Sequence, residues 1–188
     1  MKKIILMSLL LILLGGCSKP EFKGADITNG PIGGDFKLTD HHGKPRSLQD
    51  FKGKVVVLFF GFTQCPEVCP TTLSELKSAM QQLGEKANRV QVLFVTVDPE
   101  RDSQTILAAY VPAFDQRFIG LRGNDSQLAD IAQIYKIIYQ KQPQGDSYTM
   151  DHTAGSYLID AEGKTRVMIN YGAGAAVFAH DLDLLLTE

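Results

Sequence analysis

Residues 59–73 read FFGFTQCPEVCPTTL, setting Cys65 and Cys69 with three residues between them and a proline directly after each. A thiol pair at that spacing can form a static bridge, run thiol–disulfide exchange or hold a soft metal ion. A bridge closing so short a loop removes little entropy from the unfolded chain, which favours a functional pair. The prolines restrict the local geometry. Inside a helix running through both cysteines, Pro70 would lack the N–H that bonds back to Pro66, and the residue before each proline is pushed towards extended backbone. The expected arrangement has Cys65 extended, Pro66 opening a turn, Cys69 at a helix N-cap and Pro70 at the first helical position. The helix N-terminus would then favour a thiolate at Cys69.

Two thiolates suit Cu(I), Zn or an iron–sulfur cluster, and a third, imidazole ligand improves the match to copper in either oxidation state. The chain has four histidines. His41 and His42 fall in the turn DHHGK and read as surface residues. His180 lies in a C-terminal helical pattern and reads as packing. His152, in MDHTAGSYLID, stands just before an apolar strand and is the candidate third ligand, with Asp151 as a group that would orient it. A closed zinc site needs a fourth ligand, and none is identifiable.

The surrounding elements must bring these residues together. KVVVLFFGF is a continuous apolar run of β-branched and aromatic residues, as in a strand buried on both faces. Residues 70–83 carry Leu73, Leu76, Met80 and Leu83 at helical spacing, with Thr72 and Glu75 at capping-box spacing. RVQVLFVTV is the next strand and ends at Asp98-Pro99, completing a right-handed βαβ unit. Further helices are expected over residues 103–114, interrupted by Pro112, and over 126–139. GSYLID and TRVMIN around the turn AEGK read as an antiparallel hairpin, and AAVFAHDLDLLL as a closing helix. DFKLTD is a short strand before the HHGK turn. This order predicts an α/β, thioredoxin-like fold, a central mixed sheet flanked by helices, with the thiols at the C-terminal edge of a buried strand, where open α/β sheets place their sites.

The 188 residues, 44% hydrophobic and 21% charged, suit one globular domain with a sizeable core. A formal charge of −2 without basic runs argues against nucleic acid. The first residues differ: Lys2 and Lys3, an apolar run over 4–14, then Gly15-Gly16-Cys17. That run is short for a membrane span and has the form of an export signal. LGGC looks like a lipoprotein box, in which cleavage leaves Cys17 lipidated. The expected boundaries are a signal peptide over 1–16, a tether over 17–32 and one domain over 33–188. With Cys17 as anchor, Cys65 and Cys69 have only each other to pair with in an oxidising compartment.

Taken together, GGDFKLTDHHGK, VVVLFFGFTQCPEVCP, VTVDPERD, FIGLRG and DHTAGSYLID resemble the SCO/SenC family of copper-binding assembly factors for cytochrome c oxidase. The likeness covers about residues 33–184. It implies a thioredoxin fold holding one copper ion, Cu(I) or Cu(II), through Cys65, Cys69 and His152, with Asp98 and Asp102 as an acidic motif near the site. It further implies delivery to the two-copper site of oxidase subunit two, an upstream copper donor or thiol reductant, and a lipid-anchored position on the extracytoplasmic or periplasmic face. A carrier of this kind is not an enzyme. The alternatives are a thiol–disulfide reductase acting on the target's cysteines and a redox or copper sensor. Dithiol oxidoreductases of thioredoxin type keep a cis-proline opposite the thiols. Here Ala154 takes that place and no proline occurs after Pro143, which favours metal over general exchange chemistry.

Overall fold

The computed structural model describes residues 21–188. The expected signal peptide and the lipidation site Cys17 lie outside the described residues. In chain order the elements are β1 (Ala25–Asp26), β2 (Leu38–Asp40), β3 (Pro45–Arg46), β4 (Val55–Gly61), α1 (Val68–Leu83), β5 (Val90–Thr96), α2 (Gln104–Tyr110), β6 (Ile119–Arg122), α3 (Asp125–Tyr135), β7 (Tyr139–Gln144), β8 (Ser147–His152), β9 (Gly155–Ile159), β10 (Thr165–Asn170) and α4 (Ala175–Thr187).

The apolar runs form the centre of an eight-stranded sheet ordered β1-β10-β9-β4-β5-β6-β2-β3. β4, β5 and β6 are parallel, joined through α1 and α2, and Val55 pairs with Val90 at the start of the first parallel ladder. β9 runs antiparallel to β4 and turns back into β10, so the sheet is mixed. Every residue of β4 and β5 is buried, as the continuous apolar run of β4 and the mostly apolar β5 require. Each such large side chain contributes about 1.5–3 kcal/mol by leaving water. Helices α1 and α4 pack on one another. This is the expected thioredoxin-like architecture.

Three expectations are corrected. The tether was expected to reach residue 32, yet β1 adds a strand beside β10, Phe22, Ile27 and Ile32 pack on the core, and the buried Asp181 carboxylate accepts the N–H groups of Lys23 and Gly24 at 2.8 Å each. A Cβ on Gly24 would stand 2.6 Å from the Val167 side chain, so glycine permits that close approach. The helix expected over 126–139 stops at Tyr135, because Lys136 turns left-handed (φ 56°), and Ile138 is 77% exposed. The chain then enters the β7–β8 hairpin, a separate two-stranded sheet. Its strands are polar and carry Pro143, so no alternating pattern announces them. Finally, His41 is buried rather than at the surface. Its Nδ1 accepts the Gly120 N–H at 2.9 Å and its Nε2 lies 3.0 Å from that of His42.

Candidate metal centre

Strand β4 delivers the chain to the thiols, and its last residue must be small. A Cβ on Gly61 would lie 2.7 Å from the Cys69 sulfur and 2.8 Å from the Phe94 ring. Beyond it, Cys65 donates its N–H to the Phe62 carbonyl at 3.2 Å. Helix α1 then begins at Val68 with Glu67 as N-cap, earlier than the expected start near Pro70. Pro70 is harmless there because the first four helical N–H groups have no partner within the helix. Cys69 is therefore inside the first turn and fully buried, while Cys65 stays outside the helix and half-buried.

This reverses the expected charge distribution. The Cys69 N–H points at the Cys65 sulfur, 3.4 Å away. A hydrogen bond from the Cys69 thiol, helped by backbone N–H groups of residues 67–69, brings Cys65 down to about 5 against the opposing effect of burial. Cys69 moves the opposite way, raised by its bond to Cys65 and then by burial. The helix N-terminus thus stabilises the sulfur that caps it from outside, not the one expected at the N-cap. Both thiols are free.

The acidic motif braces this loop. Asp102 is completely buried and accepts from the Thr63 N–H (3.0 Å), the Thr63 hydroxyl (2.6 Å) and the Thr96 hydroxyl (2.6 Å). Burial raises its carboxyl above the usual range against those hydrogen bonds. The Asp98 carbonyl receives the Asp102 N–H, while the Asp98 carboxylate pairs with Arg101 and accepts the Tyr148 hydroxyl at 2.9 Å. Asp98 therefore reaches the β7–β8 hairpin. Tyr110, which the sequence did not single out, has a buried hydroxyl with no hydrogen-bond partner among the described residues. Its phenol is raised by burial first and then by the two cysteines.

His152 ends β8, paired with Tyr139. Its ring stands edge-on to Phe62, with centroids 5.9 Å apart at 85°. Nδ1 lies 3.0 Å from the Thr153 carbonyl oxygen, which can only accept, so in the neutral ring Nδ1 carries the proton and the lone pair is on Nε2. Asp151, expected to orient the ring, is exposed and alternates to the other face of the strand. The Thr153 carbonyl takes that part. Among the described residues no three His, Cys, Asp or Glu side chains meet closely enough to hold an ion. The structure thus assembles the two thiols and sets His152 on Phe62, three residues before Cys65, without joining it to them. The donor set still fits a soft ion, with two sulfurs, one already favoured as thiolate, and an imidazole with a free Nε2. His180 bonds Asp181 at 2.8 Å, away from this group.

The SCO1/SenC family model matches residues 24–187. The chain is 41% identical over 134 residues to the mitochondrial SCO2 homologue of Bos taurus, an alignment covering 69% of this chain and half of the bovine protein's length. It is similar to the copper-bound structure of Bradyrhizobium japonicum ScoI (39% identity, TM-score 0.75, 81% of this chain and 98% of that one). It is also similar to apo Sco1 from Thermus thermophilus (38% identity, TM-score 0.78, 92% and 100%).

Proposed function

The chain belongs to the SCO1/SenC family, and from that premise we propose that it carries copper, taking one ion on Cys65, Cys69 and His152 and passing it to the two-copper site of cytochrome c oxidase subunit two. The observation that carries this reading is the asymmetric thiol pair itself, two free sulfurs brought together where β4 meets α1, with Cys65 half-exposed, Cys69 buried and the Cys69 N–H 3.4 Å from the Cys65 sulfur. The copper-bound Bradyrhizobium relative supports the choice of ion. Two thiolates hold Cu(I), the imidazole accommodates Cu(II), and a shell of three leaves a position through which a recipient's ligands can enter. We place the carrier outside the cytoplasmic membrane, tethered through Cys17 after removal of residues 1–16.

The test is copper analysis of the reduced protein beside Cys65→Ser, Cys69→Ser and His152→Ala. The expected outcome is one ion per chain in the wild type, lost with either cysteine and weakened with the histidine. Wild-type loading by His152→Ala contradicts the three-ligand assignment. Oxidation of the pair to a disulfide should abolish loading, since neither sulfur then has a thiolate to offer.

The same asymmetry favours one alternative, reduction of a disulfide in the recipient. The Cys65 thiolate would attack a target sulfur to form a mixed disulfide, releasing one target thiolate. Cys69, once deprotonated, would then displace the second, leaving Cys65–Cys69 oxidised and the target reduced by two electrons. An upstream thiol reductant would restore the pair. His152→Ala separates the readings, because it should spare this exchange while weakening copper binding.

A further inference from the structure

The β7–β8 hairpin is attached weakly for an element that carries a ligand. It pairs with no strand of the main sheet, and only Met150 among residues 139–152 is buried. A cavity of about 260 Å³ lies between it and the body, lined by Val97, Asp98, Leu128, Tyr139 and Met150 among others. A two-stranded hairpin is marginal by itself in water, so whatever docks it decides where His152 stands.

The docking contacts concentrate on one residue, Tyr148, opposite Pro143 near the turn. Its hydroxyl donates to Asp98 at 2.9 Å, and its carbonyl accepts from the Arg101 guanidinium at 2.7 Å. That guanidinium lies over the Tyr148 ring, 3.7 Å from its centroid, and also 6.0 Å from the centroid of Phe62, the ring against which His152 rests. The Lys141 ammonium lies 4.6 Å from the Tyr148 centroid and pairs with Glu100. Asp98 is almost fully buried, with Arg101 beside it. The ion pair itself lies within the body, and the hairpin is attached to it through two directional hydrogen bonds to charged groups and one stacked ring. At the other end of the hairpin, Thr153 and Ile138 exchange hydrogen bonds through the Thr153 N–H and hydroxyl, which holds the two strands together at their base.

We propose that Asp98, Arg101 and Tyr148 form a latch that keeps His152 beside Phe62, the ring three residues before Cys65, and so act as positioning residues for copper capture. The proposal rests on the copper-carrier reading. Loosening the latch spreads the hairpin over many positions, and copper must then select the few from which Nε2 reaches the sulfurs, so apparent affinity falls by the fraction still competent.

The experiment loads the reduced protein with copper alone and measures Cu(I) affinity by competition with a chromophoric chelator, and nitrogen coupling in the electron paramagnetic resonance spectrum of the Cu(II) form. Tyr148→Phe, which keeps the ring and loses only the hydroxyl, should weaken binding about threefold, and Tyr148→Ala about tenfold, each with weaker or more heterogeneous nitrogen coupling. The alkylation rate of Cys65 should stay at the wild-type value in both. Unchanged or tighter copper binding overturns the latch, as does an altered alkylation rate, which would mean that the substitutions act through the thiol loop. His152→Ala runs in parallel. Weak binding by it with normal binding by both Tyr148 variants removes the latch alone, whereas normal binding by His152→Ala removes the ligand assignment and the latch with it.

Discussion

Cys69 stands where a fully buried strand meets a sixteen-residue helix, whereas His152 ends a two-stranded hairpin with a single buried residue. The thiol end is over-determined. Gly61 admits the Cys69 sulfur, Asp102 holds Thr63 by backbone and hydroxyl, and the N-terminus of α1 faces the Cys65 sulfur. The imidazole end depends on a few polar contacts across a cavity. One half of the candidate centre is thus held rigid by the core, and the other half is adjustable. That division suits the proposed carrier, because an imidazole on the adjustable half can leave without disturbing the fold.

The contrast breaks most sharply at the sulfurs. Cys69→Ser should reduce copper loading from one ion per chain to nearly none, read by metal analysis of the reduced protein, and retained loading would remove the rigid half from the site. Next comes Gly61→Ala, whose methyl would meet Cys69 and Phe94 at 2.7 and 2.8 Å. Overpacking at so confined a place should cost about 1–3 kcal/mol in chemical denaturation. His152→Ala should change stability by less than about 1 kcal/mol, while lowering copper affinity at least about tenfold. A large stability loss there would mean that the hairpin is as integral as the strand.

Two pH measurements sharpen the contrast further. The alkylation rate of Cys65 should rise through about pH 5, where its thiolate forms. Cys69→Ala should move that midpoint up, because the Cys69 thiol bond is the largest cause of the depression. The smallest effect belongs to His41, whose imidazolium is disfavoured first by burial and then by His42. Its folded value lies below the ordinary 6.5, so its contribution is fully present above 6.5 and is lost as pH falls through the folded value. The difference between wild-type and His41→Gln stability profiles should show that loss on the acid side. A flat difference would contradict it.

Local chemistry made much of this molecule legible. The apolar runs of β4 and β5, the βαβ unit, the hairpin of β9 and β10 and the closing helix all arise from periodicity and turn residues. The prolines beside the cysteines announced that Cys65 would lie outside the helix and Cys69 near its start, since their restrictions act on neighbouring residues alone. The resemblance to the SCO/SenC family could likewise be read from motifs along the chain.

Other features depended on what lies across space. Which sulfur is the thiolate turned first on the bond between the two thiols, then on burial of Cys69 and on N–H groups converging on Cys65. The burial of His41 came from β6, through the Gly120 N–H. The hairpin that carries His152 is polar along both strands, and Asp98 and Arg101 hold it from about fifty residues away in the chain. Spacing and periodicity settle which backbone a segment adopts, because those forces act within a few residues. Desolvation and long-range partners settle where a charge rests and how far an imidazole stands from a thiol, and both exist only once the chain has closed on itself.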